Sequence, residues 1–100
     1  MKVTIQSIHF TAAARLKDYV QKKCDKFDQF YDRIVDGKVI LKLQKEVKGS
    51  DKLVEILVNV PGDTLVSSEA GSTFEEAMDL ASEKMKKQIK RHKEKLRSHA

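Results

Sequence analysis

The sequence predicts an α+β domain in the order β-α-β-β-β-α: a four-stranded sheet with two helices packed on one face. Three observations lead there. Residues 2–8, 38–46, 52–60 and 64–70 alternate apolar and polar side chains, the two-residue period of a half-buried strand. Residues 12–29 and 74–97 repeat apolar side chains every third or fourth position, the period of an amphipathic helix. Each strand has one apolar face, so both helices are expected on the same side of the sheet. One hundred residues support a single domain, 1–100, with one core. There is no internal repeat, low-complexity tract or linker.

The elements follow in order. In the first strand Val3 and Ile5 face one way, and Lys2, Thr4 and Gln6 the other. Thr11 offers an N-cap and Ala12–Ala14 favour helix. The first helix then buries Ala13, Leu16, Val20, Cys24 and Phe27, and Phe30-Tyr31-Asp32-Arg33 forms its exit. Asp36-Gly37 is a turn signal. The second strand, Lys38 to Glu46, turns Val39, Leu41 and Leu43 to one face. A turn over Lys48-Gly49-Ser50-Asp51 leads to the third strand, Lys52 to Val60, with Val54, Ile56, Val58 and Val60 inward. Pro61-Gly62-Asp63 opens the fourth, Thr64 to Ala70, completing an antiparallel meander. Ser72 with Glu75, or Thr73 with Glu76, makes a capping box for the last helix. Its apolar stripe is Phe74, Met78, Ala81, Met85, Ile89, His92 and Leu96. The helix is placed over about 73–98, and at 1.5 Å per residue its span from 74 to 97 alone is roughly 36 Å long. That exceeds what the sheet needs, so its last turns should project.

Charge is concentrated on that projection. Lys84 to Arg97 holds eight Lys or Arg against one acid, Glu94, while the whole chain is only +5. Everything outside the run is therefore slightly acidic. Basic residues near a helix C-terminus complement the macrodipole, but that effect is worth about 0.3–1 kcal/mol and acts within the last turn. Eight cations over four turns repel one another, which points to a polyanionic partner rather than a merely solvated helix, an acidic protein or a membrane surface. Lys84, Lys87, Arg91 and Lys95 fall on one flank of the stripe, and Lys86, Lys90, Lys93 and Arg97 on the other. On the first helix Arg15, Lys22 and Lys26 form a line, with Lys23 between it and the core. If the helices lie side by side, these rows flank a shared basic groove. Long basic side chains contact phosphates and do not read bases, so a folded RNA recognised by shape is the expected target.

Other chemistry is poorly represented. Cys24 is the only cysteine, on the core face, where a small buried hydrophobe is expected rather than a nucleophile. His9, His92 and His99 have no metal-ligand spacing, and His92 is expected to pack at the edge of the stripe. The acids form no distinguishable general acid/base pair. No enzyme, cofactor, metal or small-molecule substrate is expected. No apolar stretch approaches the ~18 residues of a membrane span, so a soluble cytoplasmic chain is expected.

Three segments resemble a known family. Leu16-Lys17-Asp18-Tyr19-Val20 with Lys23, Lys26-Phe27 and Phe30-Tyr31-Asp32-Arg33-Ile34 is similar to an L-R-E-Y-V … K … K-L … Y-F-D-R-I helix and exit. Val39-Ile40-Leu41-Lys42-Leu43 is similar to the family's second strand. Lys84-Met85-Lys86-Lys87-Gln88-Ile89-Lys90-Arg91-His92-Lys93-Glu94-Lys95-Leu96 is similar to a K-L-x-R-Q-L-x-K-H-K-D-K-L ending, the most specific of the three. The family is that of the ribosome hibernation-promoting factors, also called ribosome-associated inhibitors or sigma-modulation proteins. The resemblance covers essentially the whole chain. The family's D-M-Y-A-A-I-D turn is a departure: here it is Thr73-Phe74-Glu75-Glu76-Ala77-Met78-Asp79, matching at Ala77 and Asp79.

The resemblance implies two roughly parallel helices and a binding site in the messenger- and transfer-RNA cleft of the small ribosomal subunit. It implies inhibition of translation by occupancy in stationary or starved cells. The residues expected to clamp ribosomal RNA phosphates are Lys22, Lys23, Lys26, Lys84, Lys87, Lys90, Arg91, Lys93 and Lys95. The chain ends at Ala100 directly after the helix, so the resemblance is to the short form, without the dimerising domain of long members. A second ribosome-pairing factor is a further candidate partner. The competing expectations are a general structured-RNA-binding module and a protein-interaction domain.

Overall fold

Burial alternates along each strand as the sequence does. A computed structural model describes residues 1–45 and 49–98. Its elements are β1 (Lys2–Ile8), α1 (Ala14–Asp25) running into a 3₁₀ turn (Lys26–Gln29), β2 (Asp36–Leu43), β3 (Lys52–Val60), β4 (Asp63–Gly71) and α2 (Phe74–Ser98). The strands lie in the order β1-β2-β3-β4. β1 and β2 pair in parallel, with Val3 opposite Gly37 and Ile5 opposite Val39. The β2–β3 and β3–β4 pairs are antiparallel. α1 is thus the crossover of a βαβ unit, and a meander completes the mixed sheet.

Both helices cover one face. Val39, Leu41, Val54, Ile56, Val58 and Val60 of the sheet pack with Leu16, Val20 and Cys24 of α1 and Met78, Ala81, Met85 and Ile89 of α2. Among the largest of these, Leu41, Ile56, Met78, Met85 and Ile89 are essentially inaccessible. Fully burying each such side chain contributes roughly 1.5–3 kcal/mol. The α2 stripe is buried as far as Ile89, then emerges: His92 is half-buried and Leu96 is 46% exposed. The final turns project, and the molecule is 47 Å long against 24 and 18 Å across.

Thr73 closes the start of α2. Its hydroxyl accepts from the Glu76 amide at 3.0 Å, while the Glu76 carboxylate turns back onto the Ser72 amide and hydroxyl. Of the two expected capping boxes, the Thr73–Glu76 pair supplies the cap, but the Glu76 carboxylate reaches the Ser72 amide rather than that of Thr73, so the reciprocal half of the box is displaced by one residue.

Several local expectations are corrected. α1 begins at Ala14, not Ala12, and its N-cap is Ala13 with no side-chain cap bond; Thr11 does not cap it. The preceding segment is held by tertiary contacts. His9 takes a left-handed φ of 71°, Phe10 stacks on Phe74 at 4.7 Å, and Ala12 rather than Ala13 is buried. Residues 26–29 tighten into the 3₁₀ turn instead of extending α1, and this seats Phe27 in the core. Asp36-Gly37 is no turn: both residues begin β2. A Cβ at Gly37 would lie 3.3 Å from the Met1 sulfur, a close contact that a small shift of the flexible Met1 side chain would relieve. The expected strand end at Glu46, the turn residue Lys48 and His99 lie outside the described residues. Among the described residues, no helix is long and apolar enough to cross a membrane.

Candidate nucleic-acid interface

The two helices meet along a polar seam before they diverge into a basic cleft. Near the start of α2, Asp79 Oδ1 accepts from the Tyr19 hydroxyl of α1 at 2.5 Å and pairs with Lys23 Nζ at 2.9 Å. Lys23 also lies 5.5 Å over the Tyr19 ring. The bond to Asp79 raises the pKa of Tyr19, with burial adding to it. The same carboxylate raises the pKa of Lys23, against a smaller opposing effect of burial. For Asp79, burial pushes upward, but the Tyr19 and Lys23 bonds together hold it below the usual carboxylate range. The seam is therefore charged and intact at neutral pH.

Beyond the seam the α1 side of α2 opens. Lys23, Lys26, Phe30, Ser82, Glu83 and Lys86 line one part of the cleft. Gln29, Phe30, Lys90, Lys93 and Glu94 line the next. Phe30 joins the two parts. Lys86 Nζ lies 5.1 Å and Lys90 Nζ 5.3 Å from its ring centre, so the ring face gathers two ammonium groups that would otherwise repel. The 3₁₀ turn after α1 delivers Phe30 here, as the residue that caps its end.

The β4 side of α2 differs. Lys84 pairs with Glu69 of β4. Gln88 donates from Nε2 to the Val66 carbonyl at 2.6 Å, closing an edge-strand group that would otherwise be open. Arg91, His92 and Lys95 line a depression of about 180 Å³ with Asp63, Leu65 and Gln88. His92 packs edge-on to Tyr31 at 5.7 Å, a packing role as expected.

The sequence-derived residues thus fall into separate groups. Lys23, Lys26, Lys90 and Lys93 come together in the interhelical cleft. Lys84, Arg91 and Lys95 lie on the opposite flank of α2. Lys87 is exposed and lines neither cleft part, and Lys22 is exposed on α1 outside the cleft. Sequence reasoning left Lys86 and Phe30 out of the binding set, and both are central to the cleft. Lys86 was legible as a member of the row with Lys90, Lys93 and Arg97, but that this row faces α1 was not legible. Phe30 was legible only as a helix exit, since its position depends on the 3₁₀ turn. The side chain of Arg97 lies outside the described residues. Cys24 is buried, and burial pushes its thiol up to about 12, which suits a core residue and not a nucleophile.

The chain can now be set beside known proteins. The model of the sigma 54 modulation protein / S30EA ribosomal protein family matches residues 3–97. The chain belongs to this family. It is 31% identical over 98 residues to a ribosome hibernation promoting factor of Pseudomonas putida, covering 98% of this chain and 92% of that protein. It is 30% identical over 99 residues to a ribosome hibernation promoting factor of Escherichia coli K12, covering 99% and 98%. Among solved structures, the N-terminal domain of Thermus thermophilus Protein Y superposes with a TM-score of 0.79 at 26% identity, over 92% of this chain and 99% of that one. A ribosomal subunit interface protein from Coxiella burnetii superposes with a TM-score of 0.82 over 93% and 98%; at 20% identity it bears on the fold alone.

Proposed function

We propose that this chain is a ribosome hibernation factor: it binds the small ribosomal subunit through ribosomal RNA phosphates, in the messenger- and transfer-RNA cleft, and inhibits translation by occupancy. The observation that carries the proposal is the interhelical cleft, where Lys26, Lys86, Lys90 and Lys93 converge from two elements. A merely solvated helix gains nothing from drawing cations together. A clamp on a phosphate backbone does, because two walls of ammonium groups contact successive phosphates and release their counterions. Full-length kinship with proteins named as ribosome hibernation promoting factors supports the ribosome as the polyanion. The chemistry is positioning by charge, with no bond made or broken.

The test is sedimentation with purified small subunits across a salt series. If about seven phosphates are neutralised, affinity falls by roughly 10³–10⁴ between 50 and 200 mM salt. An excess of bulk structured RNA leaves the complex intact. Salt-insensitive binding contradicts the clamp, and full competition by bulk RNA reduces the chain to a general RNA-binding module.

A further inference from the structure

β4 ends the sheet on one side, and the pairing of the strands fixes which of its backbone groups face outward. In an antiparallel pair a residue directs its amide and carbonyl either both toward the partner strand or both away from it. The Asn59 carbonyl accepts from the Val35 amide, just before β2, at 2.8 Å, so Asn59 and alternate residues of β3 are committed to β2. Opposite Asn59 lies Thr64, and opposite Leu57 lies Val66. Thr64, Val66, Ser68 and Ala70 therefore point their backbone groups out of the sheet. Two bonds agree with this: the Thr64 amide donates to the Asp63 carboxylate at 2.7 Å, and the Val66 carbonyl accepts from Gln88. Among the described residues, the Val66 amide and both backbone groups of Ser68 have no protein partner, and both residues are exposed.

An open strand edge is a template for a further strand. The other edge of the sheet, β1, carries Lys2, Thr4 and Gln6 as its exposed side chains, the polar cover that discourages such pairing. β4 differs on both of its faces. On the face away from the helices, Val66 is 49% exposed, next to Leu57 of β3. On the helix face, α2 flanks the edge with Lys84, Arg91 and Lys95, while β4 supplies Asp63 and Glu69, and Glu69 is already paired with Lys84. A strand added here has basic side chains over one face and an apolar one beside the other. Its own side chains alternate between those faces, so the sequence that fits alternates acidic and apolar residues. A second copy of this chain fits poorly, because antiparallel pairing of β4 with β4 brings two basic flanks of α2 together.

We propose that the outer edge of β4 takes up an extended acidic segment of a partner protein as a fifth strand, and that Gln88 occupies the Val66 carbonyl until that strand displaces it. The edge lies across α2 from the interhelical cleft, and it is available whether or not the cleft holds ribosomal RNA.

The test titrates the intact isotope-labelled chain with an end-blocked peptide of alternating glutamate and valine, about six residues long, at fixed ionic strength. Nuclear magnetic resonance should show saturable shifts centred on residues 64–70, with hydrogen exchange of the Val66 and Ser68 amides slowed at saturation. A lysine–valine peptide of the same length should bind far more weakly. Ser68→Pro removes one outward amide at an edge position of the kind that tolerates proline and should weaken binding about fivefold or more. Gln88→Ala removes the internal competitor and should tighten binding about fivefold, a gain that does not depend on how the proline variant folds. The proposal is overturned by the absence of saturable shifts, by shifts confined to the interhelical cleft, by equal binding of the lysine–valine peptide, or by unaltered affinity in Gln88→Ala or in folded Ser68→Pro. Exchange at Val66 and Ser68 that slows with protein concentration alone assigns the edge to a second copy instead. Displacement of the peptide from these amides by a single-stranded oligouridylate assigns it to RNA, and either result overturns the proposal.

Discussion

The two flanks of α2 carry similar charge in sequence and different surroundings in space. Toward β4, Lys84 is neutralised by Glu69 and Gln88 closes a strand carbonyl, so this side works as a cover for the sheet edge. Toward α1, Lys86 and Lys90 gather over Phe30, and Lys93 and Lys26 line the same cleft. Charge density alone does not separate these roles. What separates them is the neighbour: a strand edge with its own acids on one side, a second basic helix on the other.

The largest effect that would break this contrast is a charge reversal. Lys86→Glu with Lys90→Glu should weaken small-subunit binding by about 10²-fold or more, taking about 1.5 kcal/mol or more for each lost charge-assisted contact. It should also lower the salt slope by about 2. Lys84→Glu on the β4 side should cost far less binding, and lose some stability by facing Glu69. Equal losses from the two flanks, read by sedimentation at matched salt, would erase the distinction.

A smaller effect sharpens the role of the seam. Tyr19→Phe removes the bond that ties α1 to α2 and should cost about 0.5–1.5 kcal/mol, toward the low end because Asp79 is half exposed. Its pH signature follows from the shifts. Asp79 is held low, so its contribution is present above the ordinary carboxylate pKa and is lost as pH falls through the lowered folded value. Lys23 is held high, so its contribution is present below the ordinary lysine pKa and is lost as pH rises through the raised one. Denaturant midpoints should therefore show a plateau at neutral pH, and Asp79→Asn should flatten the acid limb.

Gln88→Ala is the mildest change. It frees the Val66 carbonyl at an already solvated edge and should cost about 0.5–1.5 kcal/mol of stability with little change in RNA binding. A large loss of binding from this variant would mean that the β4 flank meets RNA directly.

Much of this arrangement was legible in the chain. Residues that alternate with period two, such as Val54, Ile56 and Val58, have a single way to bury. The long stripe from Phe74 to Ile89 likewise defined which side of α2 faces the sheet, and hence that its basic residues form two rows. Local signals failed where tertiary contacts outweighed them. Thr11 is a good cap by type, but the stacking of Phe10 on Phe74 and the burial of Ala12 delay the helix. Asp36-Gly37 is a turn signal by type, yet parallel pairing with β1 claims it for the sheet. The division of the nine candidate cations was hidden for a similar reason. Helical spacing places a residue on a flank, but only packing shows whether that flank meets a strand edge or a second helix. Phe30 gave no signal of its own, because its role depends on a 3₁₀ turn that periodicity does not encode.

Cys24 makes a direct test convenient. Its buried thiol, pushed up to about 12, should stay silent to labelling at neutral pH, so one added cysteine reports alone. Gln29→Cys places a tethered iron chelate in the interhelical cleft, and Asp63→Cys places it beside Arg91 and Lys95. Removing Asp63 leaves that flank more basic, which biases the comparison against the cleft. In complexes with small subunits, hydroxyl radicals generated from position 29 should cut ribosomal RNA strongly at a few adjacent nucleotides, and those from position 63 weakly. Equal cutting from both positions, or cutting from position 63 alone, would contradict the assignment of the cleft as the RNA-binding surface.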